Sequence, residues 1–181
     1  MTTRLVLVCH GATSATRRAA FPADEPLEHP APVPDPPRAD LVLCAPHTRC
    51  RQTAAALGLT PHQDDGLRDR DYGAWRGRTL DEVTASDPAA VHAWLTDPAA
   101  APHGGESTQD LLARVGGWLD ALPRDHHRIV AITTPAVIKA AVVRAIAGTP
   151  ASFWRIDVPP LSRTELSGRA MSWTLRIPVS R

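Results

Sequence analysis

The sequence holds a single lysine, Lys139, among twenty basic residues. With abundant alanine and proline, that imbalance points to a GC-rich bacterial coding bias and says nothing about chemistry. Cysteine is scarce as well. Cys9, Cys44 and Cys50 are too few and too irregularly spaced for the disulfide framework of a small secreted domain. No stretch approaches the roughly 18 to 20 apolar residues of a membrane helix. The run from Leu5 to Cys9 is too short for the apolar core of a secretory leader. A formal net charge of +1 removes the electrostatic reason to expect nucleic acid or an anionic membrane as partner. The expectation is a soluble, cytoplasmic chain.

What is there is globular. The chain has 181 residues, 43% hydrophobic and 22% charged, enough for one domain over residues 1–181 with a core of its own. No internal repeat or linker divides it. Residues 3–9 (TRLVLVC) and 40–44 (DLVLC) are apolar and rich in β-branched residues, and read as buried strands, as does 128–133 (RIVAIT). The stretch 49–57 reads as a helix stopped by Gly58, and 79–95 as helical with a break near Pro88. Ser107 opens the clearest helix, with Leu111, Leu112, Val115, Trp118, Leu119 and Leu122 on one apolar stripe up to Pro123. Ser107 with Asp110 resembles a capping box. A second apolar helix spans 137–147 before Gly148, and 153–158, 161–166 and 173–177 read as short strands. Pro30 to Pro37 excludes a helix and favours extended chain. Strands alternating with helices argue for an α/β class: a three-layer α/β/α fold around a mostly parallel sheet.

Four ordered segments carry a more specific signal. Cys9-His10-Gly11-Ala12-Thr13 follows the first strand. Ala45-Pro46-His47-Thr48-Arg49-Cys50-Arg51-Gln52-Thr53-Ala54 follows the second. Then come Leu67-Arg68-Asp69-Arg70-Asp71-Tyr72-Gly73-Ala74-Trp75-Arg76-Gly77 and the turn Gly104-Gly105-Glu106-Ser107. Together they resemble the histidine phosphatase superfamily, with its Arg-His-Gly-x-Thr, Ser-Pro-x-x-Arg-x-x-Gln-Thr-Ala, Leu-x-Glu-x-Asp-Phe-Gly-x-Trp-x-Gly and Gly-Gly-Glu-Ser motifs. The resemblance implies a phosphoglycerate-mutase-like fold and a histidine that attacks phosphorus. Two arginines and a second histidine then clamp the phosphoryl oxygens while an acid protonates the leaving group. Those residue types suit the reaction: neutral imidazole is nucleophilic near pH 7, and fixed cations stabilise the charge spread over the oxygens.

Carried over residue by residue, the resemblance makes His10 the nucleophile and Asp69, one methylene shorter than the usual Glu, the general acid. Cys9, Gly11, Thr13, Arg49, Glu106 and Thr134 join them at the substrate, with Ser107 capping its helix. Two positions depart. Cys9 stands where the pattern has arginine, and Thr134 where it has the second histidine. A third departure is the proline-rich piece after Asp24-Glu25-Pro26-Leu27, where the family usually has a helix. Removing one charge-stabilising donor typically lowers a rate by about 100- to 1000-fold. Three readings follow. One is a weak or narrow-specificity phosphomonoester hydrolase working through phospho-His10, the reading favoured here because His10, Arg49 and an acid survive together. Another is a catalytically degenerate relative that binds an anionic ligand or a partner. The third is an enzyme that uses His10 and Asp69 for acid–base chemistry on a substrate without a phosphoryl group.

The expected partner is a small phosphorylated or anionic molecule, with no cofactor, no nucleic acid and no membrane; a homodimer is left open. Cys9, Cys44, His10 and His47 have the donor types of a zinc site. Cysteine is more commonly a small buried apolar residue, so no metal is expected. Asp71 and the flanking Arg68 and Arg70 leave open that Asp69 is a surface ion-pair partner instead of an acid.

Overall fold

The computed structural model describes residues 2–29, 35–123, 125–169 and 172–177. Six strands form one sheet: β1 (Thr3–Cys9), β2 (Leu41–Cys44), β3 (His62–Gln63), β4 (Arg128–Thr133), β5 (Arg163–Arg169) and β6 (Ser172–Arg176). Their order is β3-β2-β4-β1-β5-β6. The first four in that order run parallel, while β5 is antiparallel to β1 and β6 antiparallel to β5. The two central strands are the most apolar, and only Arg4 of β1 and Arg128 of β4 reach solvent. Burial on both faces is what a near-continuous aliphatic run demands. Side chains such as Leu5, Leu7, Ile129 and Ile132 each contribute about 1.5–3 kcal/mol by leaving water.

Helices α1 (Ser14–Arg18), α2 (Thr48–Ala56), α3 (Leu80–Ser86), α4 (Pro88–Thr96), α5 (Thr108–Ala121) and α6 (Pro135–Ala145) complete the three-layer α/β fold. α2 lies against β2 and β4, α6 against β1 and β6, and α5 against α6. The stripe of α5 buries Leu111, Val115 and Leu119 completely and Leu122 nearly so. Ser107 caps it by accepting the Asp110 N–H at 3.0 Å and donating its hydroxyl to the Asp110 carboxylate at 2.7 Å. The break at Pro88 is a change of helix: Asp87 accepts the Ala90 N–H, and Pro88 takes the first helical position, where no N–H is needed.

Several boundaries differ from expectation. α6 begins two residues early, because Pro135 also suits a first helical position. The stretch 153–158 is no strand; Pro150–Arg155 forms a 3-10 turn that buries Phe153, and a short apolar run alone does not separate the two. The next strand begins at Arg163. α1, β3 and the 3-10 turns Asp65–Leu67 and Gly73–Trp75 carry too little periodicity to be read in advance. Of the proline-rich piece, Pro30 to Pro34 lie outside the described residues, and 35–39 are irregular.

A smaller aromatic core sits beside the sheet. Phe21, Trp75, Val83, Val91 and Trp94 form it, with Tyr72 and Trp154 at its edge. Backbone meets backbone here: a Cβ on Gly73 would lie 2.0 Å from the His103 carbonyl oxygen, and one on Gly105 would lie 2.1 Å from that of Asp71. Two of the four motif segments are thereby held together, and neither glycine has room for a side chain.

Candidate active site

The motif residues converge beyond the carboxyl ends of β1, β2 and β4, the usual ligand position in open α/β sheets. His10 leaves β1 with its N–H on the Thr133 carbonyl at 3.1 Å. His10 is 4% exposed. Nδ1 lies 2.7 Å from the Gly11 carbonyl oxygen, which can only accept, so Nδ1 carries the proton. Nε2 is the bare nitrogen. It accepts from Arg49 Nε at 3.3 Å, a group that can only donate. Burial pushes the imidazole pKa below its ordinary 6.5, which keeps the ring neutral near pH 7, with the Nε2 lone pair turned to the Arg49 N–H.

Arg49 stands in the first turn of α2 and is 1% exposed. Its Nη2 donates to Asp69 Oδ2 at 2.5 Å, and Nη1 lies 3.6 Å from Asp24 Oδ1. The other Asp69 oxygen accepts the Thr134 hydroxyl and the Arg70 N–H, each at 2.8 Å. The Asp69 N–H donates to His47 Nε2 at 2.8 Å. His10, Arg49, Asp69 and Thr134 therefore form one chain of contacts. Asp69 is a buried partner of Arg49, not a surface partner of Arg68 or Arg70.

Two cavities flank Asp69. One, of about 200 Å³, is lined by His10, Thr13, Glu25, Asp69 and Tyr72 among others. The second, of about 310 Å³, is lined by Asp24, His47, Arg49, Asp69, Arg70 and others. Pro22 and Asp69 belong to both. Thr13 caps α1 and donates its hydroxyl to Glu25 Oε1 at 3.0 Å. Burial works against the Glu25 charge, but hydrogen bonds from the Ala23 N–H and the Thr13 hydroxyl keep its carboxyl below the ordinary range.

Other motif residues lie elsewhere. Cys9 is fully buried in the main core with Cys44 and Cys50, and burial pushes its thiol up to about 12. Gly11 donates its N–H to the Thr53 hydroxyl at 3.0 Å and has Leu27 against it. The Glu106 carboxylate is gripped by Arg114 through two hydrogen bonds of 2.7 and 2.8 Å. None of the three lines either cavity. Among the described residues no group of three or more His, Cys, Asp or Glu side chains has the geometry of a metal site. Nor is any helix long and apolar enough to cross a membrane.

Sequence reasoning passed over Glu25, the backbone anchor at His47 and the burial of Arg70. Glu25 had a signal, its place in the Asp-Glu-Pro-Leu turn. Arg70 had none, because the alternating run Arg68-Asp69-Arg70-Asp71 looks like a solvated surface.

Comparison with known proteins identifies the family. The profile described as the histidine phosphatase superfamily (branch 1) matches residues 35–178. A glucosyl-3-phosphoglycerate phosphatase of Mycolicibacterium vanbaalenii is 32% identical over 134 residues, covering 64% of this chain and 57% of that protein. A bifunctional protein of Mycobacterium tuberculosis is 41% identical over 78 residues, 41% of this chain and 21% of that protein. The chain thus matches only part of the length of these curated relatives. A solved mycobacterial glucosyl-3-phosphoglycerate phosphatase in complex with VO3 superposes with a TM-score of 0.78 at 26% identity, over 97% of this chain and 98% of that one.

Proposed function

The chain belongs to the histidine phosphatase superfamily, and from that premise we propose that it hydrolyses phosphomonoesters through a phosphohistidine on His10. The observation that carries this reading is the bare Nε2 of His10 held beside the buried Arg49 guanidinium. Nε2 attacks phosphorus, the bond to the leaving alcohol breaks, and the Asp69 carboxyl, in its protonated form, supplies the alcohol's proton. Water then attacks phosphorus and gives one proton to the Asp69 carboxylate as the bond from phosphorus to Nε2 breaks, releasing phosphate and neutral His10. Arg49 balances the charge on the phosphoryl oxygens.

The activity is weak, or confined to few substrates, for three reasons in the site. Cys9 and Thr134 bring no positive charge where the family pattern has arginine and histidine. Arg49 is already paired with Asp69, so a phosphoryl group must displace that carboxylate. Glu25 adds a second carboxylate to the wall of the His10 cavity. Each absent donor lowers the rate by about 100- to 1000-fold, though such losses within one cluster do not multiply. Three free, buried cysteines fit a reducing cytoplasm as the place of action.

The test is hydrolysis of a panel of phosphomonoesters by the purified chain and by His10→Ala. Turnover by the wild type that disappears in His10→Ala supports the proposal, and turnover that survives the substitution overturns it. The pairing of Arg49 with Asp69 favours a second reading, a ligand-binding protein. It predicts that inorganic phosphate raises the unfolding temperature while no ester is hydrolysed.

A further inference from the structure

Asp24, Glu25 and Glu28 lie on one loop after α1, and the fold treats them differently. Asp24 accepts the Thr48 N–H at 2.8 Å and the Thr48 hydroxyl at 3.1 Å, and it faces Arg49 at 3.6 Å. Glu28 meets Arg17 at 2.5 Å. Glu25 accepts the Thr13 hydroxyl on Oε1 at 3.0 Å and the Ala23 N–H on Oε2 at 2.8 Å. No cationic side chain among the described residues lies at ion-pair distance from it.

Glu25 is half-buried and lines the His10 cavity of about 200 Å³. Thr13 and Ala23 take one lone pair on each of its oxygens, and a carboxylate offers about four. Burial lowers the His10 pKa and the Glu25 charge works against that shift, so the carboxylate lies within electrostatic reach of the imidazole. Among the described residues no lysine or arginine lines this cavity, and Asp69, its other acid, is held by Arg49. The remaining walls are small, with Ala15, Ala20, Pro22 and Ala136 among them and Tyr72 alongside.

A phosphomonoester carries about two negative charges near pH 7. In this cavity a further anionic group on the substrate would meet Glu25 with no cation to balance it. An ammonium group instead cancels one charge of the ester and meets the one carboxylate of the cavity that has no counter-ion.

We infer that Glu25 sets the substrate class, taking the ammonium group of an aminoalkyl phosphate while the phosphoryl group lies at His10. This assignment rests on the phosphomonoester reading and narrows it to esters of short amino alcohols. Binding energy from the remote ammonium contact is available to a reacting centre that is short of cations.

The experiment compares O-phosphoethanolamine with 2-hydroxyethyl phosphate, in which a hydroxyl replaces the ammonium group. Both are offered to the full chain, to Glu25→Gln and to Glu25→Asp, with kcat/KM and thermal stabilisation as readouts. In the wild type phosphoethanolamine stabilises more, and its kcat/KM is higher by about 10- to 100-fold, the worth of one charge-assisted hydrogen bond. Glu25→Gln keeps the size of the side chain without its charge and brings that ratio down about tenfold. Glu25→Asp retains the charge and a ratio above that of Glu25→Gln. A structural role for Glu25 would lower turnover of both esters together and leave the ratio unchanged in Glu25→Gln, a result that overturns the assignment. Equal turnover and equal stabilisation in the wild type overturn it as well, whether or not Glu25→Gln folds, and leave the phosphatase reading standing. If neither ester is hydrolysed, the phosphatase reading falls. Greater stabilisation by phosphoethanolamine that is lost in Glu25→Gln then still supports the ammonium contact, and its absence overturns it.

Discussion

Arg49 and Arg70 are buried almost equally, at 1% and 3% exposure, yet of the two only Arg49 has a carboxylate at hydrogen-bond distance. Arg49 has a carboxylate at 2.5 Å and an imidazole nitrogen at 3.3 Å, and only its Nη1 lacks a hydrogen-bond partner, with Asp24 at 3.6 Å. Arg70 has one carbonyl oxygen, and two of its nitrogens have no acceptor. The difference comes from Asp69, which lies between them in the fold, turning its side chain to Arg49 and only accepting the backbone N–H of Arg70. A buried cation that already has its counter-ion must release it before it can bind a ligand. One without a counter-ion has paid the desolvation penalty and is ready for an anion.

Exchanging each arginine for methionine should break the symmetry of that pair. Arg49→Met leaves Asp69 buried without a counter-charge, which lowers stability by about 3–5 kcal/mol, and it lowers kcat/KM by at least about 100-fold. Arg70→Met removes an open charge and loses one hydrogen bond, so its stability runs from unchanged to about 2 kcal/mol higher. Urea unfolding of the two variants measures this. Equal losses in both would mean that Arg70 has a partner after all.

Asp69→Asn sharpens the same contrast from the other side. The amide oxygen keeps the bonds from Thr134 and the Arg70 N–H, and Arg49 loses its nearer counter-ion, keeping Asp24 at 3.6 Å. Inorganic phosphate should then bind about tenfold tighter, the size of one freed charge-assisted contact, as read by calorimetry. Hydrolysis of alkyl phosphates should fall further than that of p-nitrophenyl phosphate, whose leaving group needs no proton. A uniform loss across leaving groups would remove Asp69 from the acid's role.

The smallest expected effect is on acid stability. His10 lies below its ordinary pKa of 6.5, and His103 is lowered to about 4, in both cases chiefly by burial. The unfolded chain takes up protons near pH 6.5 that the folded chain refuses. Stability is therefore level above that pH and declines as pH falls from 6.5 toward 4. His103 accepts the Gly105 N–H on Nδ1 at 2.9 Å, a bond that protonation would end. Urea midpoints at pH 7.5 and 5 should differ in the wild type and differ less in His103→Gln.

The strands β1, β2 and β4 and the helices α2 and α5 were legible because each carries its burial in its own local pattern: an aliphatic run, or a stripe at helical spacing. The parallel core and the place of His10 at a strand's end follow from the same runs and from the glycine after the histidine. Less came through where the local signal is short, as in the 3-10 turn Pro150–Arg155 and the two-residue β3. Site residues divide in the same manner. His10, Arg49, Asp69 and Thr134 could be named from four ordered motifs, since residue identity at fixed spacing is a property of the chain.

Which of those residues touch, and which charges remain open, was decided only in three dimensions. Cys9 turned into the core, Glu106 was taken by Arg114, and Arg70 left an apparent surface run to lie against Trp94. The sequence alone determined the family, the layers and the identity of the candidate nucleophile, because periodicity and motif spacing are local. Counter-ion pairing and desolvation depend on which distant segments fold against one another, so the division of charge between Arg49 and Arg70 belongs to the tertiary structure.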